Sequence, residues 1–582
     1  MLNLLDGLYS LSDRAANFDV LDWIDPLIGS NGGGNVFAGA TLPYGLAKVS
    51  ADGSRVTGFS AMHDSGTGGN PSLGNFPIFP QLYPGNDLNG CKFPIGVRAM
   101  NYKKDSIKAT PGYLGIILEN GNDASTNPPI LLDLTHLWAS RQNGRMQGSG
   151  IFLPSFGAGS YVLHYCLDIA GATIADSGVW VNDRAGTEPK ELYITRNAEK
   201  EIPGPGFDFD FDRLVHFARE AWKKKVAPIS IDFWSAIYRT TISPQDYTDE
   251  NPDWNSDEPY FDSFYCLWDM WRVQPPFLTI TDPLTQSRIV QSLLDIYKHR
   301  GWLPDCIDWN LPYDAENELL EWGIEGRSGL TSWKRFKYIP YLDFNPRGFG
   351  TSSCSISRTL ECAYNDFSLA TLAKGLGKDT YTKYLSRAGN WQKLFKSDQK
   401  SIIIGSDSSF TDFFQPKYLN AAGNICSLFP MIFVRLISLL GGPDTFLRQL
   451  DFFHTSELAD IGNEPVFLTV YMPHYAGPPG LSAKRVYDCI PSHFNSSQNS
   501  LPGNDGSGAM VSFLPFACTG LFPNPGWNVY FIIPPFFEAE YRRIHIHNTT
   551  LNGARYERNW IGHEFLTEGW MLELWLGEEG SD

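Results

Sequence analysis

Apolar positions change period along this chain, and the change divides it. Up to about residue 200 the apolar runs are short and alternate with polar residues, with Gly, Pro, Asn and Asp between them. Residues 113–118, 130–134, 161–169 and 179–181 read as strands, in the pattern of a β-sandwich. After Pro203-Gly204-Pro205-Gly206 the spacing becomes helical. Ile289, Val290, Leu293, Leu294 and Tyr297 share one face, with Gly301 as a stop. Ile356, Leu360, Ala363, Phe367 and Ala370 form a second stripe that ends near Gly375. Tyr381, Tyr384, Leu385, Ala388, Trp391 and Phe395 form a third. Residues 425–440 are the most apolar run, but the run is short and holds Pro430 and Arg435. It predicts a buried helix rather than a membrane span. From about Asn528 to Leu576 strand-like alternation returns. The expected architecture is multidomain β plus α: a β-sandwich over 20–205, an α/α bundle or toroid over 215–540, and a strand-like or irregular tail over 541–582.

At 582 residues the chain exceeds one ordinary core, which agrees with several domains. A charged fraction of 19 % against 42 % hydrophobic is a globular balance, not a disordered one. A net charge of -18, with no basic cluster beyond the short Lys223-Lys224-Lys225, speaks against a phosphate-backbone binder, so no nucleic acid is expected as partner. The nine Cys are scattered without a CxxC pair, which speaks against zinc. Asn495-Ser496-Ser497 and Asn548-Thr549-Thr550 permit glycosylation in a chain that enters the secretory pathway. No signal peptide is visible, because the first ten residues include Asp6 and lack a basic start and a continuous apolar stretch.

Candidate chemistry follows from carboxylates in loops. Glu464 lies in Gly462-Asn463-Glu464-Pro465 and Asp505 in Gly503-Asn504-Asp505. Glycosidases need two carboxyl groups facing across the scissile bond, so this is the candidate catalytic pair. The competing reading gives Asn504-Asp505-Gly506 a turn role. Trp268, Asp269 and Arg272 close an aromatic stretch. An indole can stack on a sugar and a carboxylate can bind its hydroxyls; a core Trp beside an Asp-Arg pair is the alternative. His63-Asp64 precedes Gly66-Thr67-Gly68-Gly69, a loop able to present polar groups. The Gly-rich stretch from Gly29 to Gly34 lacks a following Lys-Ser/Thr and is not a phosphate loop. No Gly-x-Ser-x-Gly elbow supports a Ser hydrolase. Asp208, Asp210 and Asp212 lack the rest of an EF-hand spacing and read as an exposed acidic strand or turn.

Taken in order, these motifs form a series. They are Asp25-Pro26-Leu27-Ile28-Gly29, Phe37-Ala38-Gly39-Ala40-Thr41-Leu42-Pro43-Tyr44-Gly45, and Gly58-Phe59-Ser60 through His63 to Gly68. Then follow Leu267-Trp268-Asp269-Met270-Trp271-Arg272, Ser357-Arg358-Thr359-Leu360-Glu361, and the Glu464 and Asp505 loops. The series resembles glycoside hydrolase family 92, the calcium-dependent exo-α-mannosidases, and most closely its fungal members. The resemblance implies an N-terminal β-sandwich packed on an (α/α)6 barrel, with the active site between them. It implies inverting removal of terminal α-mannose from mannose-containing glycans or glycoproteins, Ca2+ as cofactor, and a place in the secretory pathway. By the same resemblance Trp268, Asp269, His63 and Arg272 line the sugar pocket. Asn463, Glu464 and Asn504 lie at the calcium, which makes Glu464 a calcium and sugar-shell residue.

The departures from the family pattern are specific. Where members have Gly-Asn-Asp-Asp, with the second Asp as general base, this chain has Gly506. A Glu-Gly-Ser/Asn-x-Trp-like motif, whose Glu is the expected general acid, has no counterpart where Cys426-Ser427-Leu428 runs into Phe429. Material is missing after Cys306, and the His of the Gly-rich loop in bacterial members is Asn35. These departures open a second reading, a mannose-binding or scaffold protein with impaired hydrolysis.

Overall fold

A computed structural model of the chain describes most of residues 19–45, 99–119, 211–300, 329–343, 354–402, 433–536 and 544–578, with short strands elsewhere between 49 and 186, at 303–311 and at 409–414. His63, Asp208 and Asp210 lie outside the described residues.

The four expected N-terminal strands appear, and two further strands at 137–142 and 145–152, which the alternation did not mark, join them. The longest are β1 (Leu137–Gln142), β2 (Arg145–Phe152) and β3 (Tyr161–Asp168). They form an antiparallel sheet with β2 in the centre, in the registers Leu137↔Gly150 and Arg145↔Asp168. The expected strands at 113–118, 130–134 and 179–181 appear as Tyr113–Gly115, Ile130–Leu132 and Val179–Val181.

Helices take over at α1 (Phe211–Val226) and α2 (Ile231–Thr240). Asp212 stands in the first turn of α1, where an acidic side chain meets the positive end of the helix dipole, and not in a strand. A four-residue helix, α3 (Leu267–Met270), leads into α4 (Gln274–Thr281) and α5 (Pro283–Arg300). Gly301 ends α5 at φ 78°, the left-handed conformation that suits Gly at a helix stop. The buried face of α5 differs from the expected one. Val290 and Leu294 face solvent, while Thr285, Ile289, Ser292, Asp295 and Ile296 face inward. The polar members are buried because they are bonded: Ser292 Oγ accepts the Phe261 N–H, and Asp295 Oδ2 accepts the Trp254 indole N–H.

The second stripe holds in full on α6 (Ser355–Gly375), where Ile356, Leu360, Ala363, Phe367 and Ala370 are all buried. The third is split. α7 (Tyr381–Ala388) buries Tyr384 and Ala388 but exposes Leu385; a 3-10 turn then carries Trp391, and Phe395 begins a strand. Of residues 425–440, those described form a short helix, Phe433–Leu439, with Leu436 and Ile437 buried. Downstream lie α8 (Pro443–Thr455), α9 (Pro479–His493) and α10 (Ala509–Thr519).

The tail returns to strands, as its alternation predicts. β4 (Leu521–Pro523) pairs with β5 (Val529–Ile532), which pairs in turn with Trp560–Gly562. Residues 560–562 are thus hydrogen-bonded to residues 529–531 across residue 540. One large apolar core joins Leu21, Ile24, Val36 and Phe37 from the start of the chain to Trp222, Trp234, Leu360, Phe467 and Phe513 of the helical part. That shared core holds the N-terminal loops against the loops that carry the candidate carboxylates.

Candidate active site

The two motifs that begin Gly-Asn have a common structural cause. A Cβ added to Gly503 would lie 2.1 Å from the Gly462 carbonyl oxygen, and one added to Gly462 would lie 2.5 Å from the Pro502 carbonyl oxygen. The two loops touch backbone to backbone, an approach that only Gly permits. This contact sets Glu464 and Asp505 side by side. Gly503→Ala is expected to force the loops apart, lowering stability by at least ~1–3 kcal/mol. A thermal melt of the variant checks this, and an unchanged midpoint contradicts it.

The N-terminal Gly-rich loop braces the same place. Asn31 donates its N–H to the Gln498 carbonyl at 2.9 Å, and its amide to Gln498 Oε1 at 2.8 Å. The Asp505 N–H donates to the Gly34 carbonyl at 2.9 Å. Asn35 Nδ2 donates to Asn504 Oδ1 at 3.2 Å. Asn35 is therefore a partner of the Asp505 loop.

Asp505 is fully buried. Its Oδ1 accepts the Val511 N–H at 2.9 Å, while its Oδ2 has no hydrogen-bond partner among the described residues. Burial pushes its carboxyl up to about 7, against the pull of Arg239 and of the Val511 N–H. Arg239, on α2, is buried as well, and it donates Nη2 to the Asp25 carbonyl at 3.1 Å. It thereby links the Asp25-Pro26-Leu27-Ile28-Gly29 segment to Asp505.

Glu464 is buried at the start of a 3-10 turn, Glu464–Val466. Burial, and next the Asp269 carboxylate, push it up to about 8, with Arg272 pulling the other way. Asp269 sits on α3. The meeting point is Gly506: a Cβ there would lie 3.3 Å from Asp269 Oδ2 and 3.3 Å from Glu464 Oε1. Gly506, Ser507 and Gly508 all have positive φ (39°, 55° and 84°). Ser507 holds a conformation that costs a non-Gly residue about 1–3 kcal/mol and clusters at functional sites. Gly508 lets this turn press onto α2, where a Cβ would lie 3.0 Å from the Arg239 carbonyl oxygen.

Trp268 and Arg272 complete the near wall. The Arg272 guanidinium lies between the Trp268 and Trp271 rings, 4.4 Å and 4.7 Å from their centroids, and donates to the Trp268 carbonyl. Trp268 donates its indole N–H to Glu361 Oε1 at 2.8 Å. The structure thus brings together Trp268, Asp269, Arg272, Glu464, Asn504 and Asp505. Asn463, next to Glu464, is exposed. Two further residues belong here that the motif reading did not single out as site residues. Glu361 closes a motif on α6 and is buried, and Arg239 lies on α2 with no local signal beyond a cation within an apolar helix.

Both raised carboxyls set a pH dependence for the cation-free protein. Glu464 and Asp505 hold protons more tightly folded than at their ordinary 4.5 and 3.8. The folded state then binds more protons than the unfolded one, and stability falls as pH rises. The melting temperature in chelator is expected to fall from mildly acid pH through about 7 and about 8, the folded values of Asp505 and Glu464. A melting temperature that rises over that window contradicts the assignment.

Comparison with known proteins gives this geometry its context. The catalytic-domain model of glycosyl hydrolase family 92 matches residues 195–315 and 311–578, and the N-terminal-domain model of that family matches 23–128. An uncharacterized secreted glycosidase from Arthroderma benhamiae is 41 % identical, over 97 % of this chain and 93 % of the relative. That alignment runs for 746 positions against a chain of 582 residues, so the relative carries internal segments that this chain lacks. The catalytic-domain match breaks at 311–315, just beyond Cys306. A family GH92 α-mannosidase from Bacteroides thetaiotaomicron, solved with mannoimidazole, superposes with a TM-score of 0.76 at 18 % identity, over 97 % of this chain and 95 % of that one. An inverting mannosidase of the same family and organism gives 0.71 at 17 %, over 97 % of both chains. With the family models covering most of its length, this chain belongs to glycosyl hydrolase family 92.

Proposed function

We propose that this chain is an exo-acting, inverting α-mannosidase, removing terminal α-linked mannose from N-glycan or mannan-type glycans, and that it turns over slowly because Gly506 leaves the base position without a carboxylate and the expected acid motif has no counterpart. The observation that carries the reading is the convergence of Asp269 and Glu464 on the bare backbone of Gly506. Family membership and the mannosidase folds it resembles support the substrate class. The proposed frame is the family's β-sandwich on an (α/α)6 barrel, with the sites's loops drawn from both. Export from the cell is proposed on the secreted relative.

The residues divide the work as follows. Trp268, clamped from behind by Arg272, offers a flat ring to the sugar, and Asp269 binds its hydroxyls. Asp269 Oδ2 and Glu464 Oε1 each lie 3.3 Å from one point, so their gap is at most twice that. Inverting pairs need roughly 6.5–9.5 Å, with room for a water and a sugar ring. That bound only touches the bottom of the inverting range, and Asp269 is near enough to raise the Glu464 carboxyl, so we assign the two together to one side of the sugar rather than as acid and base across it. Asp505, fully buried, positions the loop instead of meeting water. The base belongs at 506, where this chain has no side chain.

Calcium fits the donor types. Hard cations take carboxylate, amide and backbone oxygens, and Glu464 and Asn463 supply the first two; Asn504 Oδ1 already accepts from Asn35. Among the described residues no three His, Cys, Asp or Glu side chains are arranged to hold a metal, so amide, backbone or water oxygens must fill the shell. Glu464 and Asn463 would hold the ion. Bound there, it offsets the carboxylate repulsion and orients sugar hydroxyls.

The second reading, a mannose binder without turnover, draws on Gly506 itself. Linear α-mannotriose separates the possibilities. The expected products are mannose and the shortened chain, released from the non-reducing end. Internal cleavage, or equal action on α-glucosides, sinks the proposal.

A further inference from the structure

Two Asn-x-Ser/Thr triplets play no part in sugar cleavage, and the fold treats them differently. Asn495 follows α9 and opens a run of five exposed residues, 495–499, between buried Phe494 and buried Ser500. Its Oδ1 accepts the Ser497 N–H at 2.9 Å, closing a turn across the triplet. Asn548 is also exposed, but it lies within a strand, β6 (His545–Leu551), which is the middle strand of its sheet. It stands opposite Trp575, and its triplet is used by the fold: Thr549 is buried, and Thr550 donates its hydroxyl to Glu573 Oε2 at 2.6 Å.

We infer that Asn495 is an N-glycosylation site carrying an N-linked oligosaccharide. The inference rests on the proposed export of the chain. An Asn-x-Ser triplet in a projecting surface loop is where a bulky, hydrated modification is tolerated. The donor is a lipid-diphosphate-linked oligosaccharide. Asn495 Nδ2 forms a bond to the anomeric carbon and loses one proton. The bond from that carbon to the diphosphate oxygen breaks, and the lipid diphosphate leaves with the bonding pair. No oxidant or reductant is needed.

The position has a structural consequence. The same exposed run holds Gln498, which accepts from Asn31, and Asn499, against which Gly32 packs. An oligosaccharide on Asn495 stands at the outer edge of the contact that holds the Gly-rich loop to the Asp505 loop. It limits the motion of the run without touching the carboxylates.

The test uses the full chain behind a secretion leader in a eukaryotic host, recovered from the medium. Peptide-N-glycosidase in heavy-oxygen water converts a glycosylated Asn to labelled Asp, and peptide mass spectrometry locates it. The expected result is label at 495, lost in Asn495→Gln and equally lost in Ser497→Ala, which keeps the Asn and breaks only the triplet. Unlabelled Asn495 in the secreted protein, or label persisting in Ser497→Ala, overturns the inference. Mannose release by the same preparation scores the mannosidase reading separately.

Discussion

Gly506→Asp raises kcat on an aryl α-mannoside by ~10²–10⁴-fold, the usual contribution of one general acid or base. The choice of substrate matters. An activated aryl group leaves without being protonated, so the rate reports the base alone, although the family's upstream acid motif is also absent. The backbone at 506 has φ 39°, a region that Asp tolerates better than most residues. A Cβ there meets Asp269 and Glu464 at 3.3 Å, so both must shift by a few tenths of an ångström, which is feasible for side chains. KM is expected to change little, because in the proposed division of roles Trp268 and Asp269 bind the sugar. A third carboxylate beside Glu464 also adds to the repulsion that holds its pKa high. Initial rates of the native chain and the variant at equal concentration make the comparison. No rise in kcat places the defect elsewhere.

Glu464→Gln weakens calcium binding by at least ~10–100-fold, since losing even a residue that only orients a metal ligand costs that much. The affinity for mannose falls with it. The sign follows from the site's electrostatics. Glu464 is pushed up to about 8 by burial and by Asp269. A cation must displace that proton before it uses the carboxylate, so calcium binding releases a proton at neutral pH and tightens as pH rises through about 8. The Gln variant loses this pH dependence along with the affinity. In calcium-free buffer the variant should be at least as stable as the native chain, since a neutral amide replaces a group whose charged form is costly to bury. Calorimetric titration of calcium at two pH values reads both effects. Unchanged affinity removes Glu464 from the calcium shell.

Much of this was legible in the chain, and the failures have physical causes. The α6 stripe was readable because Ile356, Leu360, Ala363, Phe367 and Ala370 recur at helical spacing, although Arg358, Thr359, Glu361 and Asp366 are buried on the same helix and gave no such signal. The α5 face was not, because Thr285, Ser292 and Asp295 are buried through bonds to residues far away in sequence, such as Phe261 and Trp254. The paired Gly-Asn loops were visible as motifs, but their reason, a backbone contact between Gly462 and Gly503, exists only in three dimensions. Arg239 was invisible for a similar reason: what marks it is a buried carboxylate on a loop more than 260 positions away. Gly506 was legible only through the family resemblance. Alone it reads as a turn glycine, and the space beside it belongs to Asp269 and Glu464.

Release of the aryl group from an aryl α-mannoside by the native chain, at high protein concentration and with calcium present, tests the central claim most directly. The account predicts slow, saturable release above a buffer blank, suppressed by free mannose. Bound mannose with no release at all would contradict it and leave a sugar-binding protein on a mannosidase fold.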